Sequence, residues 1–186
     1  MDTIQEQAVA AEEPREASVG QLVQRLLREH RRWRTRDFPL ISHLFDEAQS
    51  VPGAEQPPCL GPLQNAFYRL CAELEGHMNR EETILFPAIL EAQNEAAKPA
   101  GFGSIGNPIA MVEQEHDWEG ERLEKIRQLA QNYQLPADAP EKLRLLFQEL
   151  EALEAAMHAH TRLESSILFA RALSREKTGA AAKARA

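Results

Sequence analysis

The chain has 186 residues, enough for one domain and barely enough for two. Hydrophobic residues make up 43% of it, which excludes a disordered protein, and the scarcity of glycine and of β-branched residues disfavours a β-sandwich, a barrel or a Rossmann sheet. A net charge of −8 disfavours nucleic acid as a partner, because phosphates would be repelled.

The sequence shows no membrane or export signal. No apolar run approaches the ~20 residues that span a bilayer, and the acidic, polar N-terminus lacks the basic start and apolar middle of a signal peptide. Two cysteines, Cys59 and Cys71, are too few for a disulfide framework. We therefore expect a cytoplasmic protein without a membrane partner, and the sequence leaves its oligomeric state open.

Proline and glycine divide the chain into four helical stretches that are rich in the helix-favouring residues Ala, Leu, Glu, Arg and Gln. The stretches span residues 19–49, 60–93, 107–133 and 140–174. Four long helices with short connections predict an all-α, up-down-up-down four-helix bundle. We expect this bundle to occupy residues 19–176, between a disordered N-terminal tail (1–18) and a flexible C-terminal tail (177–186).

Prolines predict irregularities within these helices. Pro39 cannot donate to the helical hydrogen-bond ladder, so a kink or break is expected near residues 36–38, and Pro87 should bend the end of the second helix. Asn107 and Pro108 are typical of an N-cap and a first helical residue, and they predict the start of the third helix.

The apolar stripe of each predicted helix contains one histidine near its middle. On the second and fourth helices a glutamate follows that histidine by four residues, which places it one turn further along the same face. The six residues on the four stripes are His30, His77, Glu81, His116, His160 and Glu164. We therefore predict that four imidazoles and two carboxylates converge inside the bundle.

Buried carboxylates need compensating positive charge, because their transfer from water to a bundle core carries a large desolvation penalty. No Lys or Arg lies on the four stripes. A metal ion supplies such charge, and imidazole and carboxylate are suitable ligands for iron, manganese or zinc. Six ligands are too many for one tetrahedral site and suit two adjacent ions. Two dications ~3.5 Å apart repel by about 20 kcal/mol at an effective dielectric of about 20, so bridging carboxylates and an oxo or hydroxo group are expected.

Other interpretations of the polar residues stay open. The stripe histidines would also be compatible with satisfied polar groups of the core. A ferritin-like site needs Glu-x-x-His on two helices, a pattern that only Glu113 and His116 provide. Glu119, three residues after His116, is a candidate for a third carboxylate. His43 and His158 are expected at the surface, and His43 would approach the site only if the break before it turned it inward.

Three further features have plainer interpretations as structure. The basic run from Arg25 to Arg36 is interpreted as a solvated face paired with nearby acids, with a docking surface for an acidic partner as the alternative. Trp33 is expected to belong to the core beside the site. Cys71 is expected to be a buried and therefore inert thiol.

Three segments resemble the hemerythrin-like, or HHE cation-binding, domain family. They are GHMNREETILFPAIL around His77, EQEHDWEGERLEKI around His116 and HAHTRLESSILFARAL around His160. The resemblance covers residues 19–174 and is closest to the di-iron proteins that repair iron–sulfur clusters. It implies a non-haem di-iron site in a four-helix bundle, with the six stripe residues as ligands of two iron ions.

The sequence departs from oxygen-carrying hemerythrins at two positions. Those proteins have a second histidine four residues after the third-helix histidine, where this sequence has Gly120, and a carboxylate five residues after the fourth-helix histidine, where Glu164 stands at four. Both differences favour the repair type. The resemblance therefore implies a protein that reacts with or binds NO or O2 and acts in iron–sulfur cluster repair or in nitrosative or oxidative stress defence, with a damaged iron–sulfur protein as partner. The alternative is a module that binds O2 or NO reversibly or stores iron, without turnover.

Overall fold

The computed structural model of the protein describes residues 16–50, 57–93 and 104–183. Its α-helices are α1 (Val19–Arg32), α2 (Phe38–Gln49), α3 (Leu60–Arg80), α4 (Phe86–Glu91), α5 (Gly106–Leu129), α6 (Glu141–Leu163) and α7 (Ala170–Lys183). Three π-helical segments join consecutive α-helices without a turn, namely π1 (Trp33–Asp37), π2 (Glu81–Leu85) and π3 (Glu164–Phe169). Most of the predicted N-terminal tail lies outside the described residues, and α7 extends to Lys183, through the first part of the predicted C-terminal tail.

The helices form four rods, and each rod is antiparallel to its two neighbours. Rod 1 comprises α1, π1 and α2; rod 2 comprises α3, π2 and α4; rod 3 is α5; and rod 4 comprises α6, π3 and α7. Side-chain contacts that show this order are His30–Glu82 and Arg34–Glu75 between rods 1 and 2, Glu73–Arg122 and Arg80–Glu115 between rods 2 and 3, His116–Ser165 and Arg127–Glu154 between rods 3 and 4, and Glu29–His160 and Glu47–Lys142 between rods 4 and 1. The predicted all-α four-helix bundle is therefore confirmed.

Local caps fix the helix ends. Ser18 and Gln21 form a capping box in which each side chain accepts a hydrogen bond from the other residue's backbone N–H. Helix α5 begins at Gly106, one residue before the predicted N-cap Asn107. The reason is a tertiary contact, because the Glu176 carboxylate on rod 4 accepts hydrogen bonds from the Ile105 N–H and the Ser104 hydroxyl, both at 2.8 Å.

The irregularity predicted before Pro39 takes the form of a π turn, and the rod continues through it. The Phe38 N–H donates to the Trp33 carbonyl five residues earlier. The same pattern precedes Pro87, where the Phe86 N–H donates to the Glu81 carbonyl. A proline offers no N–H and clashes with the carbonyl four residues before it, so a wider turn immediately before the proline relieves both problems.

Rod 3 ends earlier than the sequence pattern suggests. Helix α5 stops at Leu129, and residues Gln131–Tyr133 form a short 3-10 turn in which all three residues have positive φ values, 51°, 55° and 61°. A hydrogen bond of 2.8 Å from the Tyr133 hydroxyl to the buried Glu154 carboxylate holds this turn against rod 4. Positive φ values are costly for residues other than glycine. The hydrogen bond that holds this turn comes from another rod, so the residues near the turn do not predict it.

The hydrophobic core is divided into two clusters by a polar layer. One cluster fills the end of the bundle that contains α2 and includes Trp33, Leu74, Leu123 and Met157. The other fills the end that contains α4 and α7 and includes Leu26, Leu85, Val112 and Leu163. Along each rod, one stripe histidine lies between residues of the two clusters, so the histidines occupy one layer between two apolar plugs.

The outer surface of the bundle is charged. In the basic run of rod 1, Arg25 pairs with Glu29, and Arg32 and Arg36 both pair with Asp37, which fits the predicted solvated face. Within the described ranges, no helix is both long enough and apolar enough to cross a membrane.

Candidate metal centre

The structure brings all six stripe residues together in the polar layer. Two groups of four have ligand atoms within 4.8 Å of one another, and both groups contain Glu81 and Glu164. The first group adds His30 and His160, and the second adds His77 and His116. We call the first the Trp33 half and the second the Phe169 half, after the aromatic ring that packs on each. Every member is buried.

Each shared carboxylate directs one oxygen to each half. Glu81 has Oε2 at 3.3 Å from His30 Nε2 and Oε1 at 3.4 Å from His77 Nε2. Glu164 has Oε1 at 3.4 Å from His160 Nε2 and Oε2 at 3.1 Å from His116 Nε2. The two carboxylates therefore lie between two pairs of histidine nitrogens, an arrangement that suits two ions bridged by both groups.

Three of the four histidines are held on their outer nitrogen by a carboxylate from a neighbouring rod. Their Nδ1 atoms lie 2.9, 2.8 and 3.0 Å from carboxylate oxygens, and each carboxylate also bonds an arginine nearer the surface. The three chains are His30–Glu82–Arg34, His160–Glu29–Arg25 and His77–Glu115–Arg80. Such carboxylate support fixes the orientation of an imidazole and raises its basicity toward a metal.

These outer bonds fix the tautomer of the histidines. An ionised carboxylate only accepts hydrogen bonds, so the Nδ1 atoms of His30 and His160 carry hydrogens. In the neutral rings both Nε2 atoms then present lone pairs, yet they lie 3.3 Å apart. Without a metal, one proton must lie between them. Burial lowers the pKa of His160, but the charges of Glu164 and Glu29 outweigh burial and raise it to about 9, whereas burial and the charge of His160 lower the pKa of His30 to about 4.

The two shared carboxylates differ in protonation for the same reason. Burial and the charge of Glu164 raise the pKa of Glu81 well above its usual value. Burial acts on Glu164 in the same direction, but the charge of His160 outweighs it and lowers its pKa. In the metal-free protein the raised pKa of Glu81 favours its neutral form, and the raised pKa of His160 favours a protonated ring, 3.4 Å from Glu164.

The donor set fits a metal. Within the described residues, both oxygens of Glu81 and of Glu164 and the Nε2 of His116 are buried without a hydrogen-bond partner. The ion-pair partners found there for the two glutamates are the site histidines, and burying carboxylates in that way is costly unless a cation compensates them. Imidazole nitrogen and carboxylate oxygen are the ligand types of iron, manganese and zinc, and no thiolate belongs to either group.

Other sequence-predicted residues lie outside the two groups. The His43 side chain is 69% exposed on α2, and His158 lies 3.5 Å from Glu154 on the outer face of α6. Glu119 is buried on rod 3, and its Oε1 lies 3.4 Å from the outer nitrogen of His77. Cys71 packs at the edge of the core, and burial raises the pKa of its thiol to about 12.

The supporting glutamates were missed in the sequence, although a signal exists. Glu29 and Glu115 directly precede His30 and His116, and Glu82 directly follows Glu81. One residue along a helix turns a side chain by about 100°, so each of these glutamates points sideways and reaches the histidine of an adjacent rod. A glutamate directly beside His30, Glu81 or His116 is therefore the pattern that indicates such support.

Replacing Glu81 by Gln should stabilise the metal-free protein at pH 7.5. Each unit by which folding raises the pKa of Glu81 costs about 1.4 kcal/mol at a pH where the unfolded side chain is ionised, and an amide does not carry this cost. Glu164→Gln is the matched control and should destabilise the protein, because it removes the partner of protonated His160. Free energies of unfolding from denaturant titrations measure both, and a loss of stability in Glu81→Gln would contradict the assignment.

The metal-free protein should lose stability as the pH rises from 6.5 to 9. Burial and the charge of Glu164 raise the pKa of Glu119 to about 8, and the folded pKa of His160 is about 9. A group whose folded pKa is raised stabilises the protein at low pH and loses that contribution as the pH passes the folded value. Thermal midpoints across this range should fall less steeply in Glu119→Gln than in the wild type, while the exposed control Glu113→Gln should follow the wild type. Parallel curves for all three proteins would show that Glu119 does not titrate in this window.

Comparisons with known proteins agree with this geometry. The family model of the hemerythrin HHE cation-binding domain matches residues 21–172. The chain is 34% identical over 137 residues to the iron–sulfur cluster repair protein YtfE of Yersinia pseudotuberculosis serotype IB (strain PB1/+), and 33% identical over 137 residues to that of Yersinia pestis (strain Pestoides F). Each alignment covers 73% of this chain and 58% of the relative, so the chain spans little more than half the length of these proteins.

The family match covers most of the chain and includes every rod of the bundle. It confirms the resemblance that the segments around His77, His116 and His160 indicated. The buried cluster of histidines and glutamates, able to hold a metal, is the feature that a cation-binding family would share. The chain therefore belongs to the hemerythrin HHE cation-binding domain family.

Proposed function

We propose that this chain holds two iron ions in a non-haem centre bridged by Glu81 and Glu164. The observation that carries the proposal is the placement of one oxygen of each carboxylate toward each histidine pair. A single ion would bind one histidine pair and one oxygen of each carboxylate. The other two imidazoles and the other two carboxylate oxygens would then lie in the core without a partner. Two ions give every buried ligand atom a partner.

Each ion would have four protein ligands, two imidazoles and one oxygen from each bridging carboxylate. Four ligands leave coordination positions for an oxo or hydroxo bridge and for a small molecule such as NO or O2. When bound, ferrous iron supplies the electrons and the binding position for such a molecule. The protein contributes orientation through Glu29, Glu82 and Glu115, and its two apolar clusters keep bulk water from the centre.

The names of the relatives support a role in iron–sulfur cluster repair. We propose that the centre reacts with NO or oxygen species and provides iron to a damaged iron–sulfur protein, as part of nitrosative or oxidative stress defence. This chain covers 58% of those relatives, so the repair activity is inferred for the domain that it shares with them.

Gly120 favours a reactive centre over a reversible carrier. A carrier of the hemerythrin type would have a histidine at this position, one turn after His116. A Cβ at Gly120 would meet nothing within 4 Å, so no side chain beyond its chain neighbours packs against this position. Reversible binding of O2 or NO, or iron storage without turnover, is the alternative function that the experiments below separate from repair.

Iron analysis tests the centre itself. The protein, purified anaerobically and loaded with ferrous iron, should hold two ions per chain. His77→Ala and His160→Ala should each lower the iron content substantially, because each removes a ligand. His158→Ala is the matched control, since His158 lies two residues from His160 on the outer face of the same helix. Equal losses in His158→Ala and His160→Ala, or a saturating content of one ion per chain, would overturn the two-iron proposal.

Reactivity separates the proposed role from its alternative. The anaerobic ferrous protein should change irreversibly on exposure to NO or O2, or release iron, and it should restore the activity of a purified enzyme whose [4Fe–4S] cluster has been damaged by NO. His77→Ala should fail in that restoration. Optical spectra that return fully to the ferrous form after the gas is removed, with no restoration of the damaged enzyme, would establish reversible binding instead.

A further inference from the structure

We infer that the two metal positions are unequal, and that the ion in the Phe169 half exchanges while the ion in the Trp33 half is retained. The inference rests on the proposed two-iron centre and goes beyond it, because it assigns the donated ion to His77 and His116. Two differences between the two halves carry it.

The first difference is a break in the symmetry of the bundle. Rods 1 and 2 repeat in rods 3 and 4, with Glu29–His30 matching Glu115–His116 and Glu81–Glu82 matching Glu164–Ser165. Glu29 supports His160, and Glu115 supports His77 in the same way. Glu82 supports His30 at 2.9 Å, but its counterpart Ser165 offers His116 only a hydroxyl at 3.5 Å.

This break weakens one ligand of the Phe169 half. Carboxylate support on the outer nitrogen raises the basicity of an imidazole and holds its ring in place, and its loss typically costs about 10–100-fold in metal affinity. Both histidines of the Trp33 half have this support, together with Arg25 and Arg34 behind it. In the Phe169 half only His77 has it.

The second difference is how the two halves are covered. The Trp33 ring is 3% exposed, and its centroid lies 4.7 Å from that of His160 and 5.9 Å from that of His30. The Phe169 half has one ring stacked on His116, at 6.2 Å, and Gly120 one turn further along rod 3. A Cβ at Gly120 would meet nothing within 4 Å, whereas the corresponding residue of rod 1 is Arg34, which bonds the Glu82 that supports His30.

The chain contains a probe for deciding which ion leaves. It has two tryptophans, and Trp118 is 52% exposed on α5, so Trp118→Phe leaves Trp33 as the single tryptophan. Iron bound beside Trp33 quenches its fluorescence. The variant is loaded with two equivalents of ferrous iron without oxygen and mixed with an excess of a chromogenic ferrous chelator, while iron release and Trp33 fluorescence are recorded together.

We expect two release phases of one ion each, with rates about tenfold or more apart, because the loss of one supporting carboxylate has an effect of that size. Most of the recovery of Trp33 fluorescence should accompany the slow phase. A single phase that releases two ions would overturn the inference and leave the two-iron centre standing. Recovery of fluorescence in the fast phase would reverse the assignment. Saturation at one ion per chain would instead refute the proposed function.

Exchanging the two symmetry-related residues tests the cause. Ser165→Glu should slow the fast phase, because it places a carboxylate where Glu82 lies in the other half, and the adjacent exposed substitution Ser166→Glu is its control for added charge. Glu82→Ser should speed the slow phase toward the fast one. If neither exchange alters the ratio of the two rates, the symmetry break does not cause the difference. Circular dichroism of each variant establishes that it is folded, and either variant alone decides the point if the other fails to fold.

Discussion

Two carboxylates in the core of a four-helix bundle, with histidines as their partners, are the constraint on which the rest of the structure depends. Glu81 and Glu164 are both fully buried, and the contacts described for them lead to imidazoles. Desolvation of two such groups costs several kcal/mol unless protons or metal ions neutralise them. In the metal-free chain the pKa values of Glu81 and His160 are both raised, which favours a proton on each of them. The remaining features of the bundle serve to hold this layer in place.

The polar layer is tolerable because the rest of the core is apolar on both sides of it. One cluster packs α2 against the ends of α3, α5 and α6, and the other packs α1, α4 and the start of α5 against π3 and α7. Each of the two shared glutamates begins a π-helical segment, Glu81 after Met78 of the first cluster and Glu164 after Leu163 of the second. A π turn inserts an extra residue into the helix, so the glutamate meets the partner layer while the apolar stripe resumes beyond it.

Periodicity predicted the inward ligands because each is decided within one helix. The spacing of His77 to Glu81 and of His160 to Glu164 fixes their shared face, and the structure places all of the predicted residues in one layer. The early end of α5 and the histidine that each supporting glutamate reaches depend on which rods are neighbours and at what height, and one helix contains no such information. For example, the pattern of its own helix would place Glu82 at the surface, and only the antiparallel register with rod 1 brings its carboxylate to His30.

Arginines around the layer balance the negative charge of the glutamates that support the histidines. Each outer glutamate is matched by an arginine, in the pairs Glu29–Arg25, Glu82–Arg34 and Glu115–Arg80. Two divalent ions bring four positive charges to two bridging carboxylates, and a dianionic oxo bridge would balance the remaining two. A fourth outer glutamate at position 165 would add a negative charge for which the symmetry offers no matching arginine, because residue 120, the counterpart of Arg34, is glycine. Ser165 and Gly120 therefore belong together in physical terms, because the carboxylate that would correspond to Glu82 and the cation that would correspond to Arg34 are both missing.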